Sequence, residues 1–100
     1  MEYEWDPDKA ESNLGKHGIS FEDAAEALRD DLYQDENLDL DLSEDYGEDR
    51  SQVLCLHKEG VVLFVVTTEP EEGVCRIISA RRAEPDEQRR YFQIRTLQQR

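Results

Sequence analysis

The chain of 100 residues lacks any apolar stretch that could span a membrane, because its longest apolar run covers only residues 61–66. Its first residues alternate acids and aromatics, without the charged and then apolar pattern of a signal peptide. Cytoplasmic residence is therefore the expectation. One hundred residues also leave no room for a second hydrophobic core, so we expect a single domain over residues 1–100.

Cysteine is rare as well. Both cysteines, Cys55 and Cys75, fall in apolar, strand-like segments. Core thiols in a reducing compartment are the ordinary interpretation, and a disulfide between adjacent strands is the alternative. Because two cysteines alone cannot support a metal site, the sequence predicts no metal and no cofactor.

Lysine is the scarcest of the charged residues, with Lys9, Lys16 and Lys58 set against 25 acids and a net charge of −13. Residues 1–50 carry 18 of those acids, whereas residues 76–100 carry seven bases and three acids. An acidic surface repels nucleic acid at long range. A nucleic-acid site therefore requires a local basic patch or a partner that masks the acids. The same composition is typical of proteins adapted to high salt, in which the acidity has no functional meaning.

The front of the chain predicts a short strand and two helices. Tyr3 and Trp5 alternate with acids, a period of two that indicates a strand with one aromatic face. Asp6 is a helix N-cap and the following proline suits the first helical position, so we expect a helix over residues 7–17 that Gly18 ends. Ser20 caps a second helix. The inward residues predicted for the first helix are Ala10, Leu14 and His17, and those for the second are Phe21, Ala24, Ala25 and Leu28.

The rest of the chain predicts strands and a final helix. The segment 30–49 is dense in acids, and its alternation over residues 38–42 fits an acidic edge strand or a mobile loop equally well. Strands over residues 51–57, 61–68 and 74–79 or slightly beyond are joined by short connections, which favours an antiparallel meander. The last helix runs from Pro85 to about Gln98, with side chains available to pack at Tyr91, Phe92, Ile94 and Leu97. The order β-α-α-β-β-β-β-α is an α+β fold.

Three late arginines, Arg76, Arg81 and Arg82, carry the chemistry that this fold could perform. Guanidinium groups bind phosphates and carboxylates bidentately, and such cations also stabilise negative charge that develops in a transition state. Regular alternation places Arg76 and Arg82 on one face of the strand and Arg81 on the other. The ordinary alternative is that these arginines pair with nearby acids.

Three residues near the start of the chain could contribute to the same site as the arginines. His17, whose unperturbed pKa lies nearest neutrality, is a candidate general acid or base, and its alternative role is to interact with the last carbonyls of its helix. Lys9 and Lys16 are two helical turns apart, so they lie on roughly one face of the helix. One interpretation is that both bind phosphate, and the alternative is that they balance the charge of neighbouring acids. His57 lies at a strand end, where we expect it to be exposed and not catalytic.

Further candidates lie elsewhere in the chain. Glu48 and Asp49, beside Arg50, could supply a base, although a surface ion pair is the ordinary interpretation. Glu87 and Tyr91 are separated by four residues on the last helix, where the tyrosine could stack on a base or close the edge of the core. Arg89 and Arg90 of that helix should face water or a ligand.

Three spaced blocks carry a resemblance that spans most of the chain, from about Trp5 to Tyr91. They read W-D-P-x-K-x-x-x-N-x-x-K-H-G-x-x-F, then G-E-x-R, then R-I-I-S-A-R-R-A-x-x-x-E-x-x-x-Y. This ordered pattern resembles the BrnT family, the toxin halves of bacterial type II toxin–antitoxin pairs. The resemblance implies a small RelE-like ribonuclease domain, an antiparallel sheet with two N-terminal helices and one C-terminal helix packed on it.

The resemblance also implies a site and partners. It predicts a catalytic group of His17, Lys16, Arg81 and Arg82, and RNA or antitoxin contacts at Lys9, Arg50, Arg76, Glu87, Arg90 and Tyr91. The implied protein is a metal-independent endoribonuclease that inhibits translation. Its partner is a ribbon-helix-helix antitoxin resembling BrnA, in a complex that contains a dimer and reaches DNA only through the antitoxin.

Two other functions fit the same residues. One is a catalytically inactive binding module of the same fold that docks a basic antitoxin as a co-repressor. The other is a weaker possibility, in which the acidic segment 30–49 mimics nucleic acid and occupies a basic groove of another protein.

Overall fold

The computed structural model describes residues 1–31, 35–39 and 50–98, with the backbone alone at 35–39 and 98. The elements in chain order are β1 (Glu2–Glu4), α1 (Pro7–His17), α2 (Phe21–Asp30), β2 (Asp35–Asp39), β3 (Arg50–Leu56), β4 (Val62–Glu71), β5 (Val74–Arg82) and α3 (Pro85–Gln98). The strands form one sheet in the order β1-β5-β4-β3-β2. The predicted α+β class and element order are therefore confirmed. Among the described helices, none combines the length and the apolar character that crossing a membrane requires.

The sheet is mixed, which corrects the expectation of a wholly antiparallel one. Strands β3, β4 and β5 form the predicted antiparallel meander, and β2 adds to one edge antiparallel to β3. At the other edge β1 lies parallel to β5, because the long connection through the intervening elements returns the chain in the same direction. The acidic segment does contain an edge strand, at Asp35–Asp39, which begins three residues before the alternation at 38–42 that predicted one. Residues 40–49 lie outside the described residues.

The first two helices begin and end as their caps predict. The Asp6 side chain accepts a hydrogen bond from the Asp8 N–H, and Gly18 ends α1 in the left-handed conformation with φ of 70°. Ser20 accepts from the Asp23 N–H at the start of α2. Each cap satisfies a backbone donor that the helix leaves free, which stabilises the helix by about 1 kcal/mol.

The main core lies between α2 and one face of the sheet. Phe21 is fully buried, and burying a side chain of that size stabilises the fold by about 1.5–3 kcal/mol. Tyr3 of β1 and Trp5, the residue after this strand, both pack against this core, as the alternation predicts. The remaining buried members are Ile19, Ala24, Ala25, Ala27, Leu28, Val53, Cys55, Leu63, Val65, Ile77 and Ala80.

A second, smaller cluster lies on the opposite face of the sheet, under α3. Tyr91 packs there against Leu54, Val62 and Ala83. Alternate strand residues face opposite sides, so the N-terminal helices and α3 cover different faces. The expected packing of Phe92 and Leu97 is wrong, since these side chains are 44% and 63% exposed.

An irregularity in β5 changes which arginines share a face. Val66 pairs with Ser79 but Thr67 pairs with Ile77, which leaves Ile78 as the extra residue of a β-bulge. Ile77 and Ala80 consequently both enter the main core, although regular alternation would separate them. The bulge also places Arg76 and Arg81 on the same face of the sheet, opposite the main core, so the predicted pairing of Arg76 with Arg82 on one face is wrong.

Candidate functional site

A cleft follows the edge of β5, where α1 takes the place of a neighbouring strand. Strand β1 pairs with β5 only as far as Arg76, so the later residues of β5 face α1 instead. Two adjoining pockets form this α1–β5 cleft. The first, the Trp5 pocket, has a volume of about 320 Å³ and is lined by Glu4, Trp5, Asp6, Lys9, Arg76, Ile77 and Ile78. The second, the His17 pocket, has a volume of about 210 Å³ and is lined by Lys9, Ser12, Asn13, Lys16, His17, Ile78 and Ser79.

Asn13 holds α1 against the sheet edge and so builds the cleft. Its Nδ2 donates to the Ala80 carbonyl at 2.8 Å and to the Ile19 carbonyl at 3.0 Å, while its Oδ1 accepts from the Ala80 N–H at 3.1 Å. One amide side chain thus satisfies backbone groups that a strand would otherwise pair. Asn13 faces inward in place of Leu14, which is 51% exposed, so the predicted inner face of α1 is wrong at Leu14.

The His17 pocket is cationic. Lys9, Lys16 and His17 are all exposed, and the described lining includes no carboxylate. The prediction that both lysines share a helix face is confirmed, because both line this pocket. The pocket therefore suits an anion, with a histidine beside it that is able to move a proton. The expected inward position of His17 is wrong, and exposure leaves its imidazole accessible to a ligand.

The Trp5 pocket has a different balance of charge. It contains two carboxylates and two cations. Arg76 donates to Glu4 through Nε at 2.7 Å and approaches the same Oε2 through Nη2 at 2.6 Å. Arg76 therefore lies in the cleft with Lys9. It forms an ion pair with Glu4 there, which is the alternative role that the sequence left open for the arginines.

Arg81 lies away from the cleft, on the side of α3. Its two terminal nitrogens bind Glu87 at 2.9 and 3.0 Å, and its guanidinium carbon lies 4.1 Å from the centre of the Phe64 ring. The Arg81 hydrogen bonds lower the pKa of Glu87, whose carboxylate also accepts from the Glu84 N–H at the start of α3. This contact ties α3 to β5. Arg82, one residue further, is exposed at the end of the strand.

Two predicted contact residues are buried, which corrects their expected surface roles. Tyr91 is fully buried, and its hydroxyl donates to Asp31 Oδ2 at 2.6 Å. Burial, together with this hydrogen bond, raises the pKa of Tyr91 to about 12. Arg50 is only 5% exposed, because its strand lies inside the sheet between β2 and β4. Arg90 is exposed on α3, as expected.

His57 is also buried, contrary to the expectation of an exposed residue. Its Nε2 lies 3.5 Å from Glu26 Oε1 and 3.6 Å from Asp23 Oδ1, because the β3–β4 turn folds against α2.

The cysteines are free thiols, so the alternative of a disulfide does not hold. Burial raises the pKa of Cys55 to about 12.

The described residues contain no cluster of His, Cys, Asp or Glu side chains arranged to hold a metal ion. The candidate base at Glu48 or Asp49 lies outside the described residues. Sequence reasoning missed Ser12 and Ser79, which add hydroxyl groups to the His17 pocket. Ser79 lies next to the bulge at Ile78, and a bulge of this kind leaves no mark in the sequence pattern.

Comparison with known proteins identifies one family. The family model described as "Ribonuclease toxin, BrnT, of type II toxin-antitoxin system" matches residues 5–87. The crystal structure of the Brucella abortus ribonuclease toxin BrnT superposes with a TM-score of 0.65 at 21% identity, covering 84% of this chain and 97% of that chain. At that identity the likeness shows the fold. No curated protein matches.

Proposed function

This chain belongs to the BrnT family of ribonuclease toxins of type II toxin–antitoxin systems, and on that premise we propose that it is a metal-independent endoribonuclease that stops translation. Membership of the family implies an RNA substrate and an antitoxin partner. The observation that carries the proposal is the His17 pocket, which gathers two lysines and a histidine without a carboxylate in its described lining, in a chain of net charge −13.

We place the scissile phosphate in the His17 pocket. Lys16 and Lys9 neutralise the charge that develops on the phosphorus oxygens in the transition state, which is the largest contribution that such a site makes. His17 takes the proton of the attacking 2′-hydroxyl or delivers one to the leaving oxygen. Of the late arginines, we retain Arg82 as a cation that meets the substrate at the strand end, whereas Arg81 braces α3 through Glu87.

The acidity of the front half does not prevent this binding, because electrostatic repulsion is screened over about 8 Å at physiological ionic strength. A phosphate inside the pocket meets the lysines first, and the acids further away act mainly on the rate of approach. Rising salt should therefore weaken binding less than it does for a uniformly basic nuclease, whose affinity depends on many released counterions.

The antitoxin completes the proposal. We propose a ribbon-helix-helix partner that binds DNA, forms a dimer in the complex and covers the cleft, all in the cytoplasm. A chain that carries 25 acids is itself suited to a basic partner, since opposite charge speeds association.

The test measures cleavage of a single-stranded RNA by the purified chain. We expect His17→Ala to reduce the rate by about 10²–10⁴-fold, the usual contribution of a positioned proton donor or acceptor. We expect Lys16→Ala to reduce it by about 10²–10³-fold, the usual contribution of one group that stabilises transition-state charge. Lys58→Ala is the matched control, because Lys58 is 71% exposed and pairs with Glu26 away from the cleft. A substrate with 2′-deoxyribose at the cleaved position should resist cleavage. Absence of cleavage at every salt concentration, together with normal growth when the chain is induced without its antitoxin, would exclude the nuclease.

One observation favours the inactive binding module as a second candidate. Glu4 and Glu87 already engage Arg76 and Arg81, two of the cations that a nuclease of this family pattern would offer. An induced chain that binds its antitoxin but neither cleaves RNA nor arrests growth would identify the module.

A further inference from the structure

We propose that the Trp5 pocket is a nucleobase subsite that selects guanine beside the phosphate held in the His17 pocket. The inference rests on the proposed function, since the base belongs to the RNA strand whose phosphate the neighbouring pocket binds. The two pockets share Lys9 and Ile78 in their linings, which suits the base and the phosphate of neighbouring parts of one strand.

The two pockets differ in charge, so each suits a different part of a nucleotide. The described lining of the His17 pocket has cations and no carboxylate, which suits a phosphate. The Trp5 pocket has equal numbers of carboxylates and cations, so a phosphate gains little there. A polar, uncharged group that both donates and accepts hydrogen bonds is the better occupant.

The carboxylates keep acceptor oxygens for a ligand. Both contacts from Arg76 reach Oε2 of Glu4, so Oε1 takes no part in this ion pair. Asp6, which also lines the pocket, accepts the Asp8 N–H through Oδ1, and its Oδ2 takes no part in that bond. These oxygens match a base edge that presents neighbouring N–H groups.

Guanine complements this arrangement. Its ring N–H and amino group donate to carboxylates, while its O6 and N7 accept from lysine and arginine, the groups that Lys9 and Arg76 supply. Uracil offers a single N–H donor and satisfies fewer of these partners. The pocket volume of about 320 Å³ lies at the lower end of the range that is usual for sites of small molecules.

Trp5 supplies an aromatic wall. The indole is partly buried, and it meets the Phe21 ring edge-on at a centroid distance of 6.1 Å. It lines the pocket with its remaining surface. Stacking of a base on an aromatic side chain typically contributes substantially to binding.

Trp5 also makes the experiment specific, because it is the single tryptophan of the chain. Its fluorescence should change on addition of guanosine monophosphate, at concentrations about tenfold lower than for uridine monophosphate. Glu4→Gln should abolish most of that preference. Glu2→Gln, an exposed acid of the same strand that does not line the pocket, should preserve it. Lys9→Ala should weaken both nucleotides, since Lys9 lines both pockets.

Equal affinity of the wild-type chain for the two nucleotides would overturn the subsite, and so would an unchanged preference in a folded Glu4→Gln variant. The wild-type comparison decides the matter even if that variant does not fold. Cleavage of RNA without any preference for guanine rejects the subsite and retains the nuclease. Guanine-specific binding without cleavage retains the subsite and rejects the nuclease.

Discussion

Replacing Tyr91 by Phe should loosen the attachment of α3 to the rest of the fold while leaving the core volume unchanged. The Tyr91 hydroxyl donates to Asp31 Oδ2 at 2.6 Å, and the same oxygen accepts from the Leu56 N–H at 2.8 Å. Arg95 donates to the Tyr91 oxygen at 3.2 Å. One hydroxyl therefore connects α3 to the end of α2 and, through Asp31, to β3.

The magnitude follows from the charge of the acceptor. A hydrogen bond to an ionised group contributes about 1.5–3 kcal/mol, and the Leu56 N–H still serves Asp31 in the variant, so we expect a loss of about 1.5 kcal/mol. For a domain of this size such a loss lowers the melting temperature by about 6–12 °C.

The stability lost in Tyr91→Phe should depend on pH, and the pKa of Tyr91 in the folded state sets the direction of that dependence. The folded state raises the pKa of Tyr91 to about 12 from its ordinary value of 10.0, so the unfolded chain releases the proton first. The contribution of the tyrosine is then present below pH 10 and disappears as the pH rises toward 12. At pH 11 the difference between wild type and Tyr91→Phe should shrink by about 1 kcal/mol.

Urea unfolding of both proteins at pH 8 and pH 11 measures the effect. Cys55 and Tyr3 titrate equally in both chains, so the difference isolates Tyr91. Tyr3→Phe is the matched control at pH 8, because the Tyr3 hydroxyl makes no hydrogen bond within the described part of the chain. Equal stability of Tyr91→Phe and wild type at pH 8, or a difference that does not change with pH, would refute the reasoning.

Asn13→Ala should cost about 3 kcal/mol, measured by urea unfolding, because the N–H and carbonyl of Ala80 and the carbonyl of Ile19 lose their partner in a buried site. Glu87→Gln should cost about 1 kcal/mol at neutral pH, because the bidentate contact with Arg81 is lost. The Glu87 contribution is present above its ordinary pKa of 4.5 and is lost as the pH falls through its lowered folded value. Thermal melts of this variant and wild type should therefore converge in acid.

Matched variants keep these two predictions specific. Ser12→Ala removes a neighbouring polar group that is exposed on the same helix, and it should leave stability unchanged. Asp86→Asn removes an exposed acid from the same first turn of α3 as Glu87, so it separates the helix dipole from the Arg81 contact. An Asn13→Ala variant as stable as Ser12→Ala, or a Glu87→Gln variant whose melts never approach those of wild type in acid, would contradict the respective argument.

The candidate site was only partly accessible to sequence reasoning. Lys9, Lys16 and His17 were predicted from spacing and residue type, and the structure gathers them in one pocket. Arg81 was expected to serve the same chemistry, yet Glu87 holds it beside α3, and the bulge changes which arginines share a face of the sheet. A bulge depends on how two strands pair, and that information is distributed over residues far apart in the sequence.

The sequence alone determined the local elements, because caps and periodicity act over a few residues. Asp6, Gly18 and Ser20 set the helix ends where predicted, and the ordered blocks determined the family. Tertiary structure decided which side chains meet. Only the folded sheet shows that the Asn13 side chain bonds the backbone of Ala80 where a neighbouring strand would pair. Only the folded sheet shows that the adjoining cleft contains one cationic pocket and one pocket with equal numbers of carboxylates and cations. Those contacts join residues up to 67 positions apart, and burial and pairing over such distances are not encoded in any local pattern.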